Sequence, residues 1–425
     1  MVPAWPALVG AAAAALLAAM PSWAADEIHW TLTGPNSVTL DWRGSGSGVR
    51  YGLTSSYGRT AAGQSPSPLP FSSSGPFWEA RITGLLENTL YHYSIDAGPD
   101  HTFRTPPPRG TSDFTLYTAG DIGDSTSYTW VAPIQRQIAS NLPRFCLFAG
   151  DLTYGNSHGQ THVDQHFNDV MVWSQDAAYM PAWGNHEWDS ASSDDLRNYK
   201  GRFDLPNPMT SPGAPTPGCC GEDWYWFDYG NVRFIAYPEP YTSASWSDWY
   251  TRAGSLMDAA QIDPQISFIV TWGHRPAYSS GHHPGASALA SDMGLLASGH
   301  SKYLLNINGH SHDYERTYPQ NGVTHVTVGV GGATLETESG SCPWLGGCPP
   351  PAYSAYRAFH HGVLKLRFTA TAIEGTAFCG PPSSTDDVVC VAGSVMDSFV
   401  IRAPGGAPGG DLTSPSTSSN LRTRR

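Results

Sequence analysis

Phe145-Cys146-Leu147-Phe148-Ala149-Gly150-Asp151-Leu152-Thr153-Tyr154 is an apolar run of strand length that passes directly into a glycine and a polar tip. The same grammar recurs at Phe114 to Thr118, Ile266 to Trp272 and Tyr303 to Ile307, each an apolar run ending in polar residues. Between them lie stretches with helical periodicity, of which Trp130 to Asn141 and Asp164 to Gln175 are the clearest. Strands alternating with helices predict an α/β domain, a β-sandwich whose sheets are flanked by helices, with its chemistry on loops at the carboxyl ends of the strands. This domain is assigned to residues 112–403.

Upstream the pattern differs. From Asp26 to Thr105 short strand-like runs, such as Ser37 to Trp42 and Tyr91 to Ile95, are separated by Gly, Ser, Asn and Pro clusters, which predicts an all-β unit over 26–107. Pro106-Pro107-Pro108 reads as a stiff connector between the two parts. Residues 1–24 hold an apolar stretch ending in Ser22-Trp23-Ala24, read as a cleaved export signal, with no further span expected in the mature chain. The Gly-, Pro- and Ser-rich tail 405–425 is read as disordered. The protein is therefore expected to be secreted or periplasmic, where disulfides form. Cys342–Cys348 and Cys379–Cys390 are expected as local staples and Cys146 as a buried thiol, with Cys219 and Cys220 unassigned.

The 425 residues carry 23 basic and 36 acidic side chains, a formal charge of -13. That balance argues against nucleic-acid binding, which needs clustered Lys and Arg. It also means that a site for phosphate must supply its own positive charge locally, as metal cations would. Candidate ligands lie on five strand tips: Gly120-Asp121-Ile122-Gly123, Gly150-Asp151-Leu152-Thr153-Tyr154, Gly184-Asn185-His186-Glu187, the end of the run Val270 to His274, and Gly309-His310-Ser311-His312. A single Gly-Asp is usually a turn. Five such tips in this order point to two cations that clamp a phosphate, acidify a water and are held about 3.5–4 Å apart by a shared carboxylate, for which Asp151 is the candidate. A phenolate from Tyr154 favours a hard ion, whereas imidazoles and an amide suit a divalent one.

The order and content of these motifs resemble the purple acid phosphatases of the calcineurin-like metallophosphoesterases. That resemblance implies a secreted phosphomonoesterase acting on small phosphate esters through a metal-bound hydroxide. It implies a ferric site of Asp121, Asp151, Tyr154 and His312, and a divalent site (zinc, manganese or iron) of Asp151, Asn185, His274 and His310. The N-terminal unit would be a fibronectin type III-like sandwich. His186 would orient phosphate or pass a proton, with Glu187 buffering it, and one or both of His282 and His283 would protonate the leaving oxygen. Asp313 departs from the family pattern and adds a carboxylate after the last motif histidine. A phosphodiesterase of the same superfamily would show a nearly identical ligand set, and a non-catalytic scaffold would show missing ligands. His158, His162 and His166, at helical spacing, read as a solvated helix face, with a further metal site as the alternative. Trp224 to Phe227 reads as a packed strand, and Gly329-Val330-Gly331-Gly332 as a tight turn near the site.

Overall fold

A computed structural model describes residues 25–141, 143–188, 195–215 and 221–404. The expected export signal, Cys219, Cys220 and the tail lie outside the described residues.

The N-terminal part has seven strands: β1 (Ala25–Gly34), β2 (Ser37–Gly44), β3 (Gly48–Gly52), β4 (Arg59–Ala62), β5 (Phe77–Ile82), β6 (Leu90–Ile95) and β7 (His101–Arg104). They form two antiparallel sheets, ordered β1-β2-β5 and β4-β3-β6-β7. In β2, Val38, Leu40 and Trp42 point into this sandwich, as alternation requires. The intervening Thr39 and Asp41 are buried too, because a second layer covers the outer face of the sheet. Thr39 donates its hydroxyl to Asp204 Oδ2 at 2.8 Å, and His29 stacks on Phe167 at 4.9 Å. The proline connector therefore does not hold the two parts apart. They share a packed, polar seam.

The rest of the chain runs β8 (Phe114–Ala119), α1 (Val131–Ala139), β9 (Phe145–Ala149), α2 (Gly155–His158), α3 (Thr161–Ser174), β10 (Ala178–Ala182), a 3-10 turn (Asn185–Glu187), α4 (Arg197–Lys200), β11 (Trp226–Tyr229) and β12 (Val232–Ala236). It continues through α5 (Ser245–Ile262), β13 (Phe268–Trp272), α6 (Ser287–Gly299), β14 (Tyr303–Asn308), β15 (Tyr314–Thr317), β16 (Thr324–Val328), β17 (Ser354–Ala358), β18 (Gly362–Phe368), β19 (Ala372–Cys379) and β20 (Val395–Arg402). Two mixed sheets result, β10-β9-β8-β18-β19-β20 and β11-β12-β13-β14-β16-β15-β17.

The sheets face each other across aromatic rings. Phe145 lies 5.6 Å from Phe234, which lies 5.6 Å from Phe368. Each such side chain contributes about 1.5–3 kcal/mol when fully buried. On the outer faces, Trp173 of α3 meets Phe148 at 5.5 Å and Trp249 of α5 meets Tyr237 at 5.7 Å. β8, β9 and β10 are parallel in one sheet, as are β12, β13 and β14 in the other. The five motifs all follow carboxyl ends of these parallel strands, which is where open α/β sheets build their sites.

Cys342–Cys348 and Cys379–Cys390 are bridged, and Cys146 is a buried free thiol. Among the described residues no helix is long and apolar enough to cross a membrane.

Candidate metal centre

The loops that end β8 and β9 turn sharply at left-handed residues: Asp121 has φ 56° and Asp151 φ 48°. The adjacent motif glycines are not all there for turning. Gly184 has no positive φ, but a Cβ on it would lie 2.1 Å from Asp151 Oδ1, and one on Gly309 would lie 2.4 Å from Asp121 Oδ2. Bare backbone is needed so that the loops can close on the carboxylates.

Two sets of donors converge. In the first, Tyr154 Oη is 3.0 Å from His312 Nε2 and 3.4 Å from Asp121 Oδ1, and His312 Nε2 is 3.3 Å from Asp121 Oδ1. His312 Nδ1–H donates to Thr334 O at 2.7 Å, which turns the Nε2 lone pair toward the other two. In the second, His274 Nε2 is 3.1 Å from Asp151 Oδ2, 3.1 Å from His310 Nδ1 and 3.2 Å from Asn185 Oδ1. Here His274 Nδ1–H donates to Ala149 O at 2.9 Å and fixes the same kind of tautomer. Asp151, His274 and His310 each offer a ligand atom within 4.8 Å of the others.

Acceptors that face acceptors at about 3 Å need something positive between them. Protons fill that role when nothing else does. Burial opposes charge on both histidines, yet Asp151 pushes His274 up to about 10 and Asp121 pushes His312 up to about 9. Burial likewise opposes the Asp151 carboxylate, but His274 and His186 hold it well below the usual range. The charge of Asp151 acts on Tyr154 as well as on His274. The donor types fit a pair of cations, with oxygen-rich ligands in one set and nitrogen-rich ligands in the other.

Around the sets, His186 is held through Nδ1 by Asn156 Oδ1 at 2.7 Å, and its Nε2 lies 3.9 Å from Asp151 Oδ2. Glu187 does not buffer it, contrary to expectation. Its buried carboxylate accepts the backbone amides of Asp151, Leu152 and Gly184 and so stitches two motif loops together. His283 stacks on His310 at 4.0 Å and its Nε2 lies 3.2 Å from Glu336. His282 is more exposed and contacts Glu338 at 2.6 Å. Asp313 adds no charge to the cluster: burial and Glu315 push it up to about 8, and it packs under Gly281 while accepting the Ser311 hydroxyl.

Several neighbours carry no strong sequence signal. Arg275, bonded through Nε to Glu239 at 3.1 Å, reaches His310 Nε2 with Nη1 at 2.8 Å. Its place directly after His274 was a hint, whereas Glu239, Glu336 and Glu338 lie in segments without a motif. The Gly329 turn is at the site, since a Cβ there would meet Ser311 O at 2.0 Å and Asp121 Oδ2 at 2.9 Å.

Comparison with known proteins agrees with this architecture. The calcineurin-like phosphoesterase family profile matches residues 114–314. Purple acid phosphatase 15 of Arabidopsis thaliana is 26% identical over 370 residues, covering 69% of this chain and 66% of the relative. Probable inactive purple acid phosphatase 1 of the same plant is 28% identical over 282 residues, covering 59% of this chain and 42% of the relative. The fold resembles a purple acid phosphatase from yellow lupin (Lupinus luteus) seeds with a TM-score of 0.69 at 20% identity, covering 89% of this chain and 74% of the lupin chain. The chain thus spans about two thirds of the length of its Arabidopsis phosphatase relative. Residues 114–314 thus carry a calcineurin-like phosphoesterase segment, and the chain resembles the purple acid phosphatases in sequence and fold, which supports a hydrolase of phosphoric ester bonds.

Proposed function

We propose that the protein is a secreted phosphomonoesterase, with Asp121, Asp151, Tyr154 and His312 holding one metal ion, and Asp151, Asn185, His274 and His310 holding the other. The assignment of a ferric ion to the first set and of zinc, manganese or iron(II) to the second is part of the same proposal. So is the division into a fibronectin type III-like unit at 26–107 and a catalytic unit at 112–403. The observation that carries the reading is the convergence of lone pairs from five strand tips, with the tautomers of His274 and His312 fixed by backbone carbonyls. A metal pair bound there supplies the positive charge that neutralises phosphate oxygens and acidifies an attacking water.

The chain's own residues do the rest. Asn156 holds the His186 ring by Nδ1 so that Nε2 faces the centre, where it orients a phosphate oxygen or moves a proton. His283, stacked on His310, is the closer of the paired histidines to the donor sets and supplies the proton to the departing oxygen. Its contact with Glu336 sets the ring angle. His282 and Glu338 form the outer edge of the same loop. Two disulfides support an extracytoplasmic setting.

Hydrolysis of p-nitrophenyl phosphate and of its bis-ester, compared from about pH 4 to 9 on protein purified without chelator, tests this reading. A monoester preference with an acidic optimum is expected. A preference for the bis-ester would replace the monoesterase with a diesterase, and no turnover in metal-replete protein would leave a scaffold.

A further inference from the structure

Outside the two converging sets, a third group of ligand-type side chains comes together. Of the three histidines at helical spacing, His166 is fully buried and spent: Nδ1 is 2.8 Å from Gly123 O and Nε2 is 2.9 Å from the Tyr179 hydroxyl. His158 and His162 behave otherwise, so the expected solvated face does not form. They approach Asp124, and the three residues each offer a ligand atom within 4.8 Å of the others.

We propose that Asp124, His158 and His162 form a third metal site, suited to a zinc-like divalent ion, that fastens α2 to α3 and to the loop after β8. Two imidazoles and one carboxylate with an open position make a three-ligand zinc site, completed by water. Asp124 is buried and already aimed. Its carboxylate accepts the amides of Thr126 at 2.9 Å and Ser127 at 3.1 Å, the Ser127 hydroxyl at 2.7 Å and the Thr126 hydroxyl, and it lies 2.9 Å from His162 Nδ1. Such outer bonds fix a carboxylate ligand. His162 is half-buried and His158 exposed, and an ion bound at about 2.0–2.2 Å would draw their rings together.

The site borders the catalytic donors: the His158 ring stacks on Tyr154 at 6.3 Å and lies 5.4 Å from Tyr128. Its mechanical role follows from α2. That short helix carries Asn156 and Ser157, which bond His186 Nδ1 at 2.7 and 3.1 Å, so an ion on His158 restrains the residues that aim His186.

The test is metal counting in the full chain. Asp151→Asn protein, in which the proposed catalytic pair is disabled, is equilibrated with limiting zinc, desalted and measured by plasma mass spectrometry beside the same protein carrying His158→Gln and His162→Gln. The parent is expected to keep one zinc per chain that the triple variant lacks, and zinc is expected to raise the melting temperature of the parent alone. Equal zinc in the two proteins, or none in either, overturns the proposal. Should the triple variant fail to fold, Asp151→Asn with the exposed His158→Gln alone is expected to bind that zinc at least tenfold more weakly, and unchanged affinity overturns the proposal. Because the count is made with the catalytic pair disabled, it stands or falls separately from the phosphatase reading.

Discussion

Two buried ionic clusters in this molecule use similar residues and end in opposite electrostatic states. At the seam between the N-terminal sheet and the rest of the chain, Arg202 bonds Glu27 and Asp164 at 2.8 Å each, and Arg43 reaches Asp26 at 2.6 Å, Glu27 at 3.0 Å and Asp164. Cations and anions alternate, and Arg202 also lies over the rings of Phe77 and Phe167. At the strand tips, Asp121 and Asp151 face imidazoles, a phenol and an amide, while the nearby Arg275 is already paired with Glu239. A cluster in which every carboxylate meets a guanidinium is architecture. One that leaves lone pairs facing each other is waiting for ions.

The sharpest way to break this contrast is Asp151→Asn. Removing the carboxylate proposed to serve both sets is expected to empty the centre of metal and lower phosphate ester hydrolysis by about 10³-fold or more, since the cations would contribute several kcal/mol of charge stabilisation. The seam should not notice, so the protein stays folded. Retained activity in Asp151→Asn would sink the two-ion reading. Next in size is His283→Ala, expected to cost about 10²-fold or more in kcat as a lost proton donor, with His282→Ala costing much less. Equal losses would show that both rings contribute, and a larger loss for His282 would reverse the assignment made from the stacking of His283.

Breaking the other cluster should do the converse. Arg202→Met leaves Glu27 and Asp164 buried with half their partners, a change expected to cost about 3–5 kcal/mol of unfolding free energy by urea denaturation while metal content stays whole. A loss below about 1 kcal/mol would mean that Arg43 alone neutralises the seam.

How legible each cluster is in the sequence follows from how it is made. Every strand-tip donor sits within a few residues of an apolar run and a glycine, so a local reading finds it, and the β9 stretch alone carries Asp151 and Tyr154. The seam joins Glu27 to Asp164 and Arg202, residues far apart in the chain with no period, motif or glycine to mark them. A pairing of that kind exists only after the tertiary fold has formed. The same holds for Glu336 and Glu338, which face the paired histidines from a segment without recognisable pattern. α5 and α6 escaped for another reason: Ser, Ala and Gly dilute their apolar stripe, with Ser245-Trp246-Ser247 opening one and Ser287-Ala288-Leu289-Ala290 the other. Glu187 is one residue from a proton-transfer candidate, yet adjacency along the chain says nothing about which backbone amides a carboxylate will find.

The smallest predicted effect concerns a buried group that belongs to neither cluster and shows what an uncompensated proton costs. His325 on β16 is fully buried, 4.8 Å from the Tyr278 ring, and its Nδ1 accepts from Asn306 Nδ2 at 3.3 Å, which keeps it neutral. Burial pushes its pKa down from 6.5 to about 3. The folded value lies below the unfolded one, so the unfolded chain takes up the proton first. The contribution of His325 to stability is whole above about pH 6.5 and is lost as the pH falls from there toward 3. At pH 5 the loss is about 2 kcal/mol. His361, pushed down to about 4 by burial, adds a loss of the same sign. His325→Gln cannot take up this proton, so denaturation at pH 7.5 and pH 5 should show the variant losing about 2 kcal/mol less than the parent between the two. An unchanged difference would mean that His325 reaches water before the chain unfolds. Among the strand-tip histidines, His274 and His312 have the opposite sign, because facing carboxylates raise them, so in metal-free protein their contribution is held at low pH and lost as the pH rises through about 9 to 10, whereas burial and the neighbouring His274 hold His310 far down and give it the sign of His325.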